Sequence, residues 1–197
     1  MQQTDWESRW SAGQIPFHQP DVSRALSTYA ESVWGTSGMS RVYVPLCGKS
    51  LDMVYLAEMA DEVVGVEFVE QAVQEFFAER GLTPEIEREP EVRYRAGNYR
   101  LYAADVFSLT NAHLGAIDAV YDRAALVALD AETRIRYAAH MHSIVSVGAR
   151  MLLVAFEYDQ SQMNGPPFAV PDDEVHRLFD GGFEVETLGT RDALDDG

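Results

Sequence analysis

The chain has 197 residues, enough for one α/β domain with a full core, and its 15 Lys and Arg stand against 32 Asp and Glu, a net charge of −17. That balance argues against nucleic acid and anionic membranes as partners, and it does not repel a cationic cofactor. A single cysteine, Cys47, rules out an internal disulfide and fits a reducing compartment; with no apolar run of membrane-spanning length and no opening signal stretch, a soluble cytoplasmic enzyme is expected.

An amphipathic N-terminal stretch comes first, with Trp6 and Trp10 and then Val22 to Val33. From there β and α signals alternate. Strands are expected at 41–45, 63–67, 99–104, 117–121, 150–157 and 183–188, and helices at 50–59, 69–80, 130–147 and 172–180. Asp130 is a plausible N-cap, with Gly148 closing the long helix, and Pro171-Asp172 opens another that Gly181-Gly182 stops. Residues 83–98, charged and poorly periodic, read as a surface excursion or hairpin. The alternation predicts a doubly wound, mostly parallel sheet with helices on both faces, a Rossmann-like α/β fold. It divides into an N-terminal cover segment, 1–38, and a core, 39–197, within a single domain.

The segment Arg41 to Glu67 carries the most chemistry. Val42-Tyr43-Val44 begins a strand, Pro45-Leu46-Cys47-Gly48-Lys49-Ser50 breaks it, a helical period follows, and Val63-Val64-Gly65-Val66 forms a second buried strand ending in Glu67. A βαβ unit of this kind binds ligands at the carboxyl ends of its strands, and a carboxylate there accepts both hydroxyl hydrogens of a ribose. A phosphate-binding loop is disfavoured, because the position needing its first glycine holds Tyr43 and Gly48 stands alone. An adenosine-containing cofactor without phosphate, S-adenosyl-L-methionine, fits better. Gly48 allows close backbone approach to its methionine portion. Asp105 and Val106, after the third strand, are candidates to meet the adenine, Asp105 at its amino group and Val106 on the ring; the alternative for Asp105 is a solvated turn aspartate.

Four separated segments in order resemble the thiopurine S-methyltransferase family, in its bacterial branch. They are Trp6, Trp10 and Gly13-Gln14-Ile15-Pro16-Phe17-His18-Gln19; Val44 to Ser50 with Gly65-Val66-Glu67; Tyr121-Asp122-Arg123-Ala124-Ala125-Leu126; and Tyr158-Asp159 with Gly165-Pro166-Pro167-Phe168. The resemblance implies that Glu67 binds the cofactor ribose and that Leu46 lines the cofactor pocket. It puts Arg123 in the pocket shared by cofactor and substrate, as the catalytic residue. There a permanently charged guanidinium can stabilise a thiolate or orient an anionic heterocycle; the alternative is a structural ion pair. Trp6 and Trp10 are implied to cover the cofactor, Phe17 or Trp10 to face an aromatic substrate, and Pro166 to belong to a stiff wall of the acceptor pocket.

The implied reaction is methyl transfer to a small aromatic or heterocyclic thiol, with selenium or tellurium compounds as further soft acceptors. A related enzyme acting on halide, thiocyanate or aliphatic thiol, and a non-catalytic cofactor- or thiol-binding protein, stay open. A nucleotide-dependent oxidoreductase is disfavoured by the missing glycine fingerprint. A monomer without metal is expected. His140 and His142, two apart, do not share a helix face. Cys47 reads as a packing residue, and His18 as structural at least as much as catalytic. The family's chains continue beyond the region of Asp192 into a last strand and further basic residues, so a weakened sheet edge near 151–156, or a shift of 183–188 to cover it, is expected here.

Overall fold

The computed structural model describes residues 3–36 and 38–192. Two helices, α1 (Gln3–Ser11) and α2 (Arg24–Trp34), precede β1 (Met39–Pro45), α3 (Asp52–Ala57), β2 (Ala60–Glu67) and α4 (Glu70–Glu79). Then come β3 (Glu85–Glu87), β4 (Val92–Ala96), β5 (Tyr99–Ala103), the short α5 (Asn111–Leu114), β6 (Ala119–Arg123), α6 (Ala131–Ile144), β7 (Arg150–Val154) and α7 (Asp172–Phe179). The seven strands form one sheet in the order β3-β4-β5-β2-β1-β6-β7. β5, β2, β1, β6 and β7 run parallel, and β3 and β4 add antiparallel at one edge.

Alternate residues of each parallel strand feed opposite cores, which is why these strands read as continuous apolar runs. Val42, Val44, Val63, Leu101 and Tyr121 pack with Leu26, Met53, Leu56, Val73 and Phe76 on the face carrying α2, α3 and α4. Tyr43, Val64, Val66, Tyr102 and Val120 pack with Leu114, Tyr137, Met141 and Phe179 on the face carrying α5, α6 and α7. Gly65 is required by this packing: a Cβ there would lie 2.7 Å from both Cys47 Sγ and Leu101 Cδ2.

One open expectation is settled and two change. Of the two readings of residues 83–98 the hairpin holds: β3 and β4 pair antiparallel, and β4 joins the sheet beside β5. β4 buries Tyr94, whose ring stacks on Phe77 and whose hydroxyl donates to Glu70, while Arg93 and Arg95 alternate with it. An edge strand with one wet face carries charges at every second position, and these hide its period. The segment 183–188 is not a strand. Its apolar alternation is satisfied by packing on the helices: Phe183 lies 5.1 Å from the His142 ring and 5.8 Å from Phe179, and Thr187 donates to Asp172. Among the described residues β7 is therefore an outer strand, bonded to β6 alone. The long helix ends at Ile144, before Gly148, which turns the chain into β7 at φ 84°. Its N-cap is as expected, with Asp130 accepting from the Thr133 N–H at 2.9 Å.

Candidate active site

The strand order reverses between β1 and β6. The carboxyl ends of these two neighbours open a crevice, the place where doubly wound sheets bind ligands. Two non-glycine residues with left-handed backbones flank it: Leu46 (φ 47°) just after β1 and Ala124 (φ 72°) just after β6. Such conformations cost of order 1–3 kcal/mol each and gather at functional sites, where the surrounding structure enforces them. Nothing in the sequence marks Ala124 for this role.

The crevice is lined by Trp10, Phe17, His18, Leu46, Gly48, Ser50, Asp52, Tyr121, Arg123 and Ala124, among others. Trp10, Phe17, Leu46, Gly48 and Arg123 are thus brought together from α1, the loop after it, the β1–α3 loop and the end of β6. Trp10 is almost fully buried, packs with Val69 and Ala72, and lies edge-on to Phe17 at 5.9 Å; Trp6 meets the other side of Phe17 at 5.7 Å. A Cβ on Gly48 would touch the Trp10 ring at 3.4 Å. The space left is about 30 Å³, room for one water molecule.

Glu67 ends β2 beside this crevice and is buried. Its Oε2 accepts from the Gly48 N–H at 2.9 Å, and its Oε1 accepts from the Val69 N–H at 3.0 Å. Burial raises its pKa from the usual 4.5, and the backbone N–H groups of Val69, Gly48 and Phe68 pull it back. The carboxylate thereby couples the glycine turn after β1 to the start of α4. Cys47 between them is buried, and its thiol pKa is pushed well up, first by burial and then by Glu67, so it stays a thiol. Lys49 is taken up by Glu75 (2.8 Å) and Glu79 (2.5 Å) on α4, which leaves it no phosphate to hold.

Asp105 and Val106 lie past the end of β5, outside the crevice lining. Asp105 is exposed and accepts from the Phe107 N–H, capping a single helical turn, while Val106 is buried in the second core. Pro166 also lies outside the lining. Its loop is tied to the turn after β6 by the Phe168 N–H donating to the Val127 carbonyl, and Tyr158 donates to the Pro167 carbonyl.

Two buried carboxylates brace the site: sequence reasoning placed Asp122 beside Arg123 without a role and missed Asp52. Asp122, fully buried beside Arg123, accepts from the Ala125 and Leu126 N–H groups and from the Tyr137 hydroxyl at 2.6 Å; burial lifts its pKa to about 6. It holds the turn that carries Ala124. Asp52, 1% exposed, accepts from Arg123 at 3.0 Å, from the Tyr121 hydroxyl at 3.0 Å and from the Ser23 N–H at 2.7 Å. The only sequence signal of Asp52 is an acid between apolar residues, Leu51 and Met53. His18 has its pKa lowered, first by burial and then by Lys49, with Arg80 and Arg123 adding and Glu79 opposing. Among the described residues no three His, Cys, Asp or Glu side chains cluster to hold a metal.

A switch-point crevice, a buried acid ending the second parallel strand and a lone-glycine turn define a class I S-adenosylmethionine-dependent methyltransferase fold. The solved Burkholderia thailandensis 1,6-didemethyltoxoflavin-N1-methyltransferase, with bound 1,6-didemethyltoxoflavin and S-adenosylhomocysteine, shares this fold. It matches with a TM-score of 0.58 over 80% of this chain and 62% of that one, at 20% identity. Within that class the chain belongs to the thiopurine S-methyltransferase family, whose model matches residues 1–197. It is 44% identical to the thiopurine S-methyltransferase of Azotobacter vinelandii, over 98% of this chain and 89% of that one. It is 45% identical to that of Pseudomonas fluorescens, over 100% and 90%. The protein is an S-adenosylmethionine-dependent methyltransferase. The residues present fit this cofactor. Glu67 offers acceptor lone pairs to a diol, Gly48 leaves a side-chain-sized gap that Trp10 fills, and no cationic cradle demands a phosphate.

Proposed function

We propose that this enzyme methylates the sulfur of small aromatic or heterocyclic thiols of the thiopurine type. The observation that carries the reading is the convergence of Arg123 with Trp10 and Phe17 on one crevice, adjoining the Gly48–Glu67 corner. A guanidinium beside flat aromatic faces suits a planar, readily ionised heterocyclic thiol better than it suits halide or thiocyanate, which need no aromatic wall.

When bound, S-adenosylmethionine supplies a methyl group activated by a sulfonium centre. Glu67 accepts the ribose hydroxyls, and the Leu46–Gly48 turn gives backbone approach to the methionine portion. Asp105 and Val106 take the adenine. Arg123 stabilises the acceptor as a thiolate, the proton leaving to solvent. The bound cofactor would supply a methyl carbon open to displacement, and Arg123 would hold the acceptor thiolate toward it. Trp6, Trp10 and Phe17 exclude water from the sulfur anion, which leaves it a stronger nucleophile. With heterocyclic thiols ionised near neutral pH, position and desolvation suffice without a strong base. Trp10 leaves about 30 Å³ of the crevice open, and movement of α1 would widen it for the ligands. Pro166 and its loop bound the acceptor side. The enzyme acts as a cytoplasmic monomer of one domain in detoxification. The net charge of −17 favours a dispersed, unassociated chain; among the described residues no helix is long and apolar enough to cross a membrane.

The test is transfer of labelled methyl from S-adenosylmethionine to a panel of acceptors: 6-mercaptopurine, thiophenols, aliphatic thiols, iodide, thiocyanate, selenite and tellurite. The highest kcat/KM is expected for the heterocyclic and aryl thiols. A preference for iodide, thiocyanate or aliphatic thiols overturns the proposal.

A further inference from the structure

The reaction-site arginine does not stand alone. Arg123 extends from the end of β6 and is mostly buried, with 18% of its side chain exposed. Its Nη1 donates to Asp52 Oδ2 at 3.0 Å. The same oxygen accepts from the Tyr121 hydroxyl at 3.0 Å, and the other, Oδ1, accepts from the Ser23 N–H at 2.7 Å. Burial, and then Asp52 itself, raise the Tyr121 pKa, so its hydroxyl stays a donor. The Asp52 backbone N–H is in turn fixed by Ser50 Oγ at 3.1 Å. One carboxylate at the start of α3 therefore holds two residues of β6 and the first turn of α2, where the segment leading back to Trp10 and Phe17 begins.

This arrangement has a chemical consequence. A guanidinium has five donors in a planar fork, and fixing one end fixes the plane of the rest. The buried carboxylate also offsets part of the charge of Arg123, so what the fork offers an acceptor sulfur is an aimed donor rather than a bare charge. We infer that Asp52 is a positioning residue that orients the Arg123 guanidinium toward the acceptor sulfur and ties that orientation to the root of the N-terminal cover. The inference rests on the proposed role of Arg123 in thiol methylation.

A double-mutant cycle tests it on the full chain, with aryl thiol as acceptor and saturating S-adenosylmethionine. Asp52→Asn keeps an acceptor and the side chain's size but loses the charge. It is expected to lower kcat roughly 10- to 100-fold, the penalty for a misplaced group at a reacting centre, while S-adenosylhomocysteine affinity stays within about twofold. Arg123→Lys keeps the charge and loses the fork. If Asp52 acts through Arg123, the double variant is no slower than Arg123→Lys alone, because residues that act as a unit are not additive. Losses that multiply show Asp52 to be merely structural and overturn the inference, as does an unchanged kcat in Asp52→Asn. Should Asp52→Asn fail to fold, Arg123→Ala replaces it. Ethylguanidinium in solution is then expected to restore activity saturably, docking on the carboxylate already in place, and no restoration overturns the inference. A wild-type protein that binds S-adenosylhomocysteine but methylates no thiol overturns the proposed acceptor and this inference together; a thiol-active wild type with multiplying losses overturns this inference alone.

Discussion

Glu67 offers the sharpest perturbation, because the structure gives its carboxylate two tasks. It accepts from the Gly48 and Val69 N–H groups at 2.9 and 3.0 Å, and in the proposed complex it also accepts from the ribose diol. Glu67→Ala strips both buried N–H groups of their partner, at ~1–3 kcal/mol each. That is a large share of a typical stability of ~5–15 kcal/mol, so loss of binding in that variant would not distinguish folding from recognition. Glu67→Gln separates them. One carbonyl oxygen still serves one N–H, while the amide NH₂ faces the other donor, so a single charge-assisted bond worth ~1.5–3 kcal/mol is lost from the fold. The same change turns an acceptor toward the diol into a donor and removes the charge, which predicts a further ~1.5–3 kcal/mol from cofactor binding, or roughly 10- to 150-fold in Kd. Calorimetry with S-adenosylhomocysteine, paired with thermal melting, measures both. Affinity unchanged within twofold in a folded Glu67→Gln protein refutes the ribose assignment and leaves the carboxylate as a loop fastener. Acidification gives an independent check. Burial raises the Glu67 pKa, so wild-type affinity is expected to start falling at a pH above the ordinary 4.5.

Asp122 makes stability depend on pH. Its folded pKa of about 6 lies above the usual 3.8, so the folded state keeps a proton that the unfolded chain releases. Its contribution is therefore full below pH ~3.8 and lost as pH rises through ~6, by at most about 3 kcal/mol. Asp122→Asn should flatten that slope in urea titrations at pH 4.5 and 6.5, and equal slopes in the two proteins would sink the argument. Gly65→Ala places a methyl 2.7 Å from Cys47 Sγ and Leu101 Cδ2, an overpacking worth ~1–3 kcal/mol; the melting temperature should drop by several degrees, and an unchanged value would show that the β2 core has slack. In the proposed complex α1 moves and Trp10 leaves Gly48, so S-adenosylhomocysteine should change tryptophan emission, and Trp10→Phe should abolish most of that change. Emission identical with and without ligand would mean that α1 does not move.

How much was legible in the chain differs from place to place, for a physical reason. The β1–α3–β2 unit could be read directly, because an apolar run, a glycine break and a helical period are local properties of consecutive residues. Glu67 stood out for the same reason, as an acid directly after a strand buried on both faces. Periodicity, however, reports that a face is buried, not what buries it. Phe183 and Val185 alternate with acids like a strand, yet both pack on helices; Tyr94 sits among arginines like a loop residue, yet it joins the sheet. The Asp52–Arg123 pair spans 71 residues and exists because crossovers make β1 and β6 neighbours. Likewise, the left-handed residues Leu46 and Ala124 are not glycines, so no residue type announces them. Local patterns determined the elements and the cofactor corner. Strand order, which depends on long-range crossovers and on which apolar faces meet, decided how the arginine, its carboxylate and the aromatic cover come together.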